Sequence, residues 1–390
     1  MNTTGPNDRD VNDILRDMSN SQPDFPSHSD GSSELVRTSE IAVASAVCAF
    51  ASLACFVILL FAGSITGEPC LSVMMALTFL ILPGAALILG LIGLASIGFS
   101  GGRRTGYAFA VAGISLPLAG VLILFLTVVP RIRTLAHRME CSTNLSGIGK
   151  AMLLYANDND DLFPRAGGRR GAWAARTPSW AAEDRQQAYG LSDPNAEDGR
   201  AGISASLYLL IKYAEVTPKI FVCTGDKGTT VFEPTTYGVD ANMVDLWDFG
   251  PDSPEHCSYA YQMVYAPFEL RAFDDPNFAT VGDRNLWMDS PSAKAKDFSR
   301  FLPDIVPCDS ESKQAHLGNT VAHKHEGQNV MFLDTHVEFE KRPFCGLDND
   351  NIYTSWNGED KARGVPPRLG SVPADAKDSL LVNDPIAGAK

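Results

Sequence analysis

This 390-residue sequence predicts an α+β fold on three transmembrane helices, the last continuing into a long helix packed on an antiparallel β-sheet. Three observations predict it. Residues 41–129 contain three long apolar runs with no charge inside any of them. Residues 141–155 carry an apolar stripe at helical spacing. The segment "NVMFLDTHVEFE" reads as two runs of strand-type residues around a turn.

The first 40 residues are rich in Ser, Asp, Asn and Pro. They hold too little apolar surface to offset the entropy of ordering and are expected to form a disordered tail. They lack the basic start and short apolar core of a secretory signal. The three apolar runs follow at 41–62, 71–97 and 107–129. Each reaches the roughly 20 residues needed to cross a hydrocarbon core, so the lipid bilayer is the first expected partner. Pro83-Gly84 interrupts the second run, and Pro117 lies in the third. Gly90, Gly93 and Ala95, then Ala110, Ala112, Gly113, Ala119 and Gly120, are small enough to let helix backbones approach. They predict a tight antiparallel hairpin across "FSGGRRTGY". With no ionisable residue inside any run, no transport pathway is expected.

Arg103 and Arg104 mark the second loop as cytoplasmic, whereas the first, "GSITGEPCLS", has neither Lys nor Arg. That places the N-terminus inside and the polar C-terminal part outside, although Arg131, Arg133 and Arg138 pull the other way. With 32 Lys and Arg against 46 Asp and Glu, the net charge is −14. Nucleic acid demands a basic stripe and is excluded as a partner. The acidity suits an extracytoplasmic domain or cation binding.

Cys141, Leu145, Ile148, Met152 and Tyr155 fall at spacings of four, three, four and three. They predict an amphipathic helix that continues the third run past a kink at Pro130 and ends at "NDNDD" and Pro164. Its stripe needs a sheet to cover it, which makes 130–356 an α+β domain. Within it, the polar segment 165–200 is expected to be an exposed excursion carrying Trp173 and Trp180. Residues 357–390, rich in Pro, Ala and Asp, are expected to be a flexible tail. In the hairpin, Asp334-Thr335 forms the turn, and Thr335 holds a position that favours Gly because φ must be positive there.

Two metal sites can be drawn from the residues. His323, His325, Asp334 and His336 offer the ligands of a Zn²⁺ or Fe²⁺ site. The plainer alternative is that they shape the hairpin by hydrogen bonds. Asp158 and Asp160 with Asp348 and Asp350 offer oxygen ligands for Ca²⁺, though neither loop has EF-hand spacing. Solvated turns are the alternative. Cys48 and Cys55 lie in the first run and Cys70 in the first loop, leaving Cys141, Cys223, Cys257, Cys308 and Cys345 in the polar domain. Outside the cytoplasm, one or two disulfides among those five are expected, with connectivity open. No G-x-S-x-G, P-loop or H-E-x-x-H motif is present, and the protein is expected not to be an enzyme.

"CSTNLSGIGKAMLLYANDNDDLFP" resembles the segment after the membrane helix in planctomycete-type pseudopilin-like proteins. Further blocks follow in that family's order: "KIFVCTGD" with Thr224 where Pro is usual, then "CSYAYQ" and "VGDRNLWMD" with Leu286 where Pro is usual. "HKHEGQNVMFLDTHVEF" is similar to its His…Asp-Gly-His-Val signature, and "CGLDNDNIYTSW" also matches. The resemblance implies motif roles for Cys141, Asn144, Leu145, Ile148, Gly149, Tyr155, Pro164, Cys223, Asp283, Arg284, Asn285, Gly327, Asn329, Asp334 and Cys345. Residues 41–129 resemble a small bacterial membrane domain without an assigned activity.

What the family implies is a non-enzymatic structural or assembly role in the cell envelope, or in a type II secretion or type IV pilus-like system. It implies a multi-pass protein of the bacterial cytoplasmic (inner) membrane with a periplasmic head, meeting other envelope, secretion or pilus components or copies of itself. The base departs from the family, whose members carry one cleavable helix. Glu40 precedes the first run as in type IV pilins, but Leu35 stands where a prepilin peptidase needs Gly, so no cleavage is expected. Three spans could not leave the bilayer as one helix does, and polymerisation is not expected. The alternative is a membrane-tethered metal-binding protein or metal-dependent enzyme built on the 323–336 cluster.

Overall fold

The computed structural model describes residues 37–66, 69–303, 312–356, 358 and 360–386, with side chains at all of these except 55–80 and 124. Most of the expected disordered tail, and Cys308, lie outside the described residues. The chain divides into two compact units, Met1–Val129 and Pro130–Lys390.

In the first unit, helix α1 spans Glu40–Thr66 and α2 spans Pro69–Gly98. Helix α3 begins at Tyr107 and runs unbroken to Asn157, through both Pro117 and Pro130. Among the described residues two helices, Ile81–Gly98 and Tyr107–Asn157, are long and apolar enough to cross a membrane, where three were expected. Of α1, the first expected span, side chains are described as far as Ala54, and the part Glu40–Ala54 is apolar. Pro83 does not break α2, and Cys70 belongs to the start of that helix rather than to a loop. Ile81, Ile88, Leu91, Phe125 and Leu126 face outward, as lipid-contacting residues do and core residues do not.

The small residues pack across the expected hairpin at Gly90, where a Cβ would lie 2.7 Å from Ile114 Cγ1 and 3.1 Å from the Ala110 carbonyl on α3, and others pack against α1. A Cβ on Gly113 would lie 1.6 Å from Ser45 Oγ, and one on Gly93 3.2 Å from Ala42 Cα. Ser45 donates its hydroxyl to the Ala86 carbonyl at 3.0 Å, which satisfies it inside apolar surroundings. Gly93 and Gly113 thus make room for the first turns of α1, and Gly90 for both α1 and α3. Ala95 and Ala119 are exposed, and Gly120 has no neighbour where its Cβ would be.

The second unit is built on an antiparallel sheet of β1 (Tyr259–Gln262), β2 (Ala279–Asp283), β3 (Gln328–Phe332), β4 (Val337–Glu340) and β5 (Leu381–Val382), in the order β4-β3-β2-β1-β5. The middle strands are buried on both faces. Tyr259, Tyr261, Val281 and Met331 enter one core, and Ala260, Ala279, Val330 and Phe332 the other. Ala279 and Val281 would share a face by alternation. The register shift between them sends their side chains to opposite cores.

The end of α3 covers the first core. Cys141, Leu145, Ile148 and Met152 are completely buried, and Tyr155 packs at the margin. At Gly149 a Cβ would come within 2.7 Å of Met331 Sδ on β3 and 2.9 Å of Thr335 Cβ, so only Gly lets the helix lie this close. The acidic loop beyond is the helix stop. Asp160 and Asp161 adopt left-handed φ values of 55° and 60°, which Asp tolerates, and Asp161 N–H donates to the Ala156 carbonyl.

Two expectations for this unit are corrected. Segment 165–200 is no exposed excursion: Ala172–Trp173 pairs with Arg200–Ala201, and Trp173, Ala188, Tyr189 and Leu191 are buried. Trp180 packs edge-on against Phe232 and Tyr237. Aromatic surface, not polarity, decides its place. Nor is 357–390 a flexible tail throughout. Leu380, Leu381 and Val382 are fully buried, and β5 supplies an edge of the sheet.

Thr335 holds φ at 71° in the β3–β4 turn. A β-branched residue there is strained by about 1 kcal/mol or more. Thr335→Gly is therefore expected to raise the unfolding midpoint of this unit by a degree or more, read by tryptophan fluorescence, because all five Trp lie beyond Pro130.

Candidate functional site: a buried disulfide, carboxylate and imidazole

Four distant sequence blocks meet at one buried point. Cys141 lies on α3 and Cys223 follows the short helical turn Pro218–Phe221. Asp283 ends β2, while His323 precedes β3 and Asn329 lies within it. Cys141 and Cys223 are joined by a disulfide, 82 residues apart in sequence. Asn144, one helical turn on, donates its amide to the Val222 carbonyl at 3.1 Å and holds the second cysteine's segment against the helix. The cysteines are thereby paired where the sequence left connectivity open. Cys257 and Cys345 are free, and burial pushes the Cys257 thiol up to about 12.

His323 Nε2 lies 3.1 Å from Asp283 Oδ2 and 3.9 Å from Cys223 Sγ. Asn329 donates its backbone N–H to Asp283 Oδ2 at 2.6 Å, and its side-chain amide nitrogen is 3.1 Å from His323 Nε2. One ring nitrogen cannot donate to the carboxylate and accept from that amide at once. Asp283 Oδ1 is buried with no hydrogen-bond partner. Burial first, then the charge of Asp283, pushes the neighbouring Tyr259 hydroxyl well above its ordinary value, so it stays a proton donor. Cys141, Cys223, Asp283 and His323 are each at most 1 % exposed. Chemistry on a substrate would need the head to open.

Among the described residues, Cys141, Cys223, Asp283 and His323 are the only group of His, Cys, Asp and Glu close enough to hold a metal ion, with ligand atoms within 4.8 Å of one another. The ligand set drawn from the sequence is not the one assembled. His323 is in it. His325, at a left-handed φ of 62°, instead binds the Asn319 carbonyl through Nδ1 at 2.8 Å. Asp334 and His336 pair with each other in the exposed hairpin turn, where His336 stacks on Phe332. Alternation in sequence is lost once His325 leaves the extended region.

The calcium residues are also outside this group. Asp158 and Asp160 line a polar cleft that also presents Arg165, Arg169 and Arg185, which disfavour a cation. Asp348 pairs with Lys361 at 3.5 Å. Asp350 is buried and accepts from Ser379 N–H at 2.9 Å, and desolvation with Asp378 nearby pushes it up to about 8.

The remaining motif residues serve the frame. Arg284 pairs with Asp226, both buried, with Nε 2.8 Å from Oδ2. Asn285 donates to the Tyr353 and Leu381 carbonyls, each at 2.8 Å, tying β2 to the C-terminal strand. Gly327, at φ 154°, passes where a Cβ would meet the Glu340 carbonyl at 2.4 Å. The Pro164 carbonyl accepts the Tyr261 hydroxyl at 3.0 Å, and Cys345 Sγ contacts the Pro343 carbonyl at 3.8 Å.

A second buried polar centre escaped the sequence reading. Helix α4 (Ile203–Ala214) is capped by Asp384, which accepts from Ile203 N–H, Ser204 N–H and Trp173 Nε1–H at 2.7 to 2.9 Å. Ser204 Oγ lies 2.7 Å from Asp384 Oδ2 and 2.8 Å from Asp248 Oδ1. A hydroxyl has one proton, so it can bridge two carboxyl groups only if one of them donates to it. Asp248 also accepts from Thr177 Oγ1 at 2.6 Å and from Phe249 N–H at 2.8 Å, but burial beside Asp384 pushes it up to about 7, so below that pH Asp248 carries the bridging proton. The signal in sequence was "SLLVND" at 379–384, an apolar run ending in Asn-Asp inside a polar tail.

A carboxyl raised on folding binds more protons in the native state, so stability is largest below its unfolded value and falls as pH rises through the folded one. The melting midpoint is expected to decline between about pH 4 and about pH 7 on account of Asp248. Asp248→Asn should flatten that part of the profile, and an unchanged slope would remove the protonated bridge.

No known family model, curated protein or solved structure matches this chain.

Proposed function

We propose that this is a membrane-anchored, non-enzymatic, pseudopilin-like protein with a structural or assembly role in the bacterial envelope or in a type II secretion or pilus-like system. The observation that carries this reading is α3, outward-facing and apolar near its start and the buried spine of a disulfide-bonded domain at its end. The disulfide favours an oxidising compartment, hence a periplasmic head above the cytoplasmic membrane. The meeting of Cys141, Asn144, Cys223, Asp283 and Asn329 supports the resemblance, because its blocks serve one centre. The full burial of that centre favours a structural role over catalysis. A base with several apolar helices favours a fixed anchor over a fibre subunit.

Protease added to spheroplasts tests the reading. Digestion of the head, with Cys141 and Cys223 oxidised in the intact cell by maleimide mass-tagging, is expected. A head protected until lysis, with both thiols reduced, would place it in the cytoplasm and end the proposal.

A further inference from the structure

We propose that Cys141, Cys223, Asp283 and His323 form a binding site for a thiophilic divalent cation, Zn²⁺ foremost, that is assembled only when the Cys141–Cys223 bond is reduced. The same four residues would then be held together by a covalent bond in one redox state and by a metal in the other. This does not depend on the membrane topology proposed above.

The donor set comes first. Two thiolates, an imidazole and a carboxylate are ligands that Zn²⁺ takes in tetrahedral geometry. With Zn–N near 2.0 Å and Zn–S near 2.3 Å, ligand atoms sit about 3.3 to 3.8 Å apart. His323 Nε2 already stands 3.1 Å from Asp283 Oδ2 and 3.9 Å from Cys223 Sγ. The Cys141 and Cys223 Cα atoms are 5.2 Å apart on segments fixed by α3 and the Asn144 bond, so separating the sulfurs needs side-chain rotation alone.

Asp283 is an independent pointer to a ligand. It is fully buried, its Oδ1 has no partner, and the adjacent Arg284 is committed to Asp226. A buried carboxylate oxygen without a donor is costly, and a cation would satisfy it. Asn329 N–H on Oδ2 is the outer contact that fixes a metal-ligating carboxylate.

The charges also balance. A dithiol reductant gives two electrons and two protons to the Cys141–Cys223 bond and is itself oxidised to a disulfide. The two thiols then lose their protons to solvent as Zn²⁺ binds both sulfurs. Before binding, the centre holds two neutral thiols and one carboxylate. After binding it holds Zn²⁺, two thiolates and that carboxylate, so its net charge stays at minus one and no added charge is buried.

The test uses the full-length protein in detergent, reduced with a phosphine, desalted and titrated with Co²⁺ and then Zn²⁺. One equivalent of Co²⁺ should bind with a sulfur-to-cobalt charge-transfer band that Zn²⁺ bleaches, and Zn²⁺ should restore part of the melting midpoint lost on reduction. The oxidised protein should take up neither ion at this site. His323→Ala should abolish the band and Asp283→Asn weaken Co²⁺ binding by about tenfold or more, whereas His336→Ala, in the exposed turn, should leave it unchanged. A folded, reduced protein that binds no Co²⁺, equal binding by the oxidised form, or loss of the band in His336→Ala but not His323→Ala would each overturn the proposal. Should reduction unfold the head, refolding under reductant is read instead. Zn²⁺-dependent recovery supports the site, and recovery indifferent to Zn²⁺ overturns it.

Discussion

Replacing Cys141 and Cys223 together by Ala is expected to destabilise the Pro130–Lys390 unit by about 4.5 kcal/mol, the chain-entropy value for a loop of this length. The bond closes 82 residues of sequence. Within that loop lie the 165–200 segment and α4, whose buried aromatics and helix cap depend on segments outside it. Without the bond, the unfolded chain regains the freedom of the whole loop, and the folded state loses a buried contact between α3 and the segment leading to Cys223. Tryptophan fluorescence should show the melting midpoint of the metal-free double variant lowered by roughly 10 to 15 °C. A fall of only a degree or two would mean that the Asn144–Val222 hydrogen bond and the surrounding apolar packing already fix this junction.

Arg284→Leu is expected to cost about 3 to 5 kcal/mol, because it strands the buried Asp226 carboxylate. The side chains are 4 % and 2 % exposed, so solvent cannot take over as partner. Arg284 also donates Nη2 to Thr229 Oγ1 and to the Pro254 carbonyl, and Asp226 accepts from Ser292 Oγ and Thr229 Oγ1. The ion pair therefore joins the end of β2 to the segments around Thr229, Pro254 and Ser292. Replacing both charges, with Asp226→Leu beside Arg284→Leu, should recover much of the loss, since removing a buried pair is far cheaper than breaking it. If the double variant is as unstable as the sum of the single ones, the two residues act independently.

Local signals were legible where the backbone's own periodicity carried them. The stripe from Cys141 to Met152 faces the core because 3.6-residue periodicity places it on one face. The hairpin turn at Asp334-Thr335 was equally local, down to the positive φ that Thr335 tolerates poorly. The acidic loop could be read as a helix stop or as a metal site, and its left-handed Asp160 and Asp161 answer for the stop. Composition misled for 165–200 and 357–390. A few large residues, such as Trp173, Tyr189 and Leu381, outweigh a polar average once they find a cavity that other segments create.

Sequence by itself determined the apolar helices, the amphipathic spine, the hairpin and the residue types able to hold a metal, all properties of neighbours along the chain. Only the tertiary structure decided which cysteines pair, that His323 rather than His325 joins Asp283, and that Asp384 caps a helix 181 residues earlier. Those choices depend on distances between segments far apart in sequence, and such distances exist only after the sheet has fixed its register and α3 has settled on it.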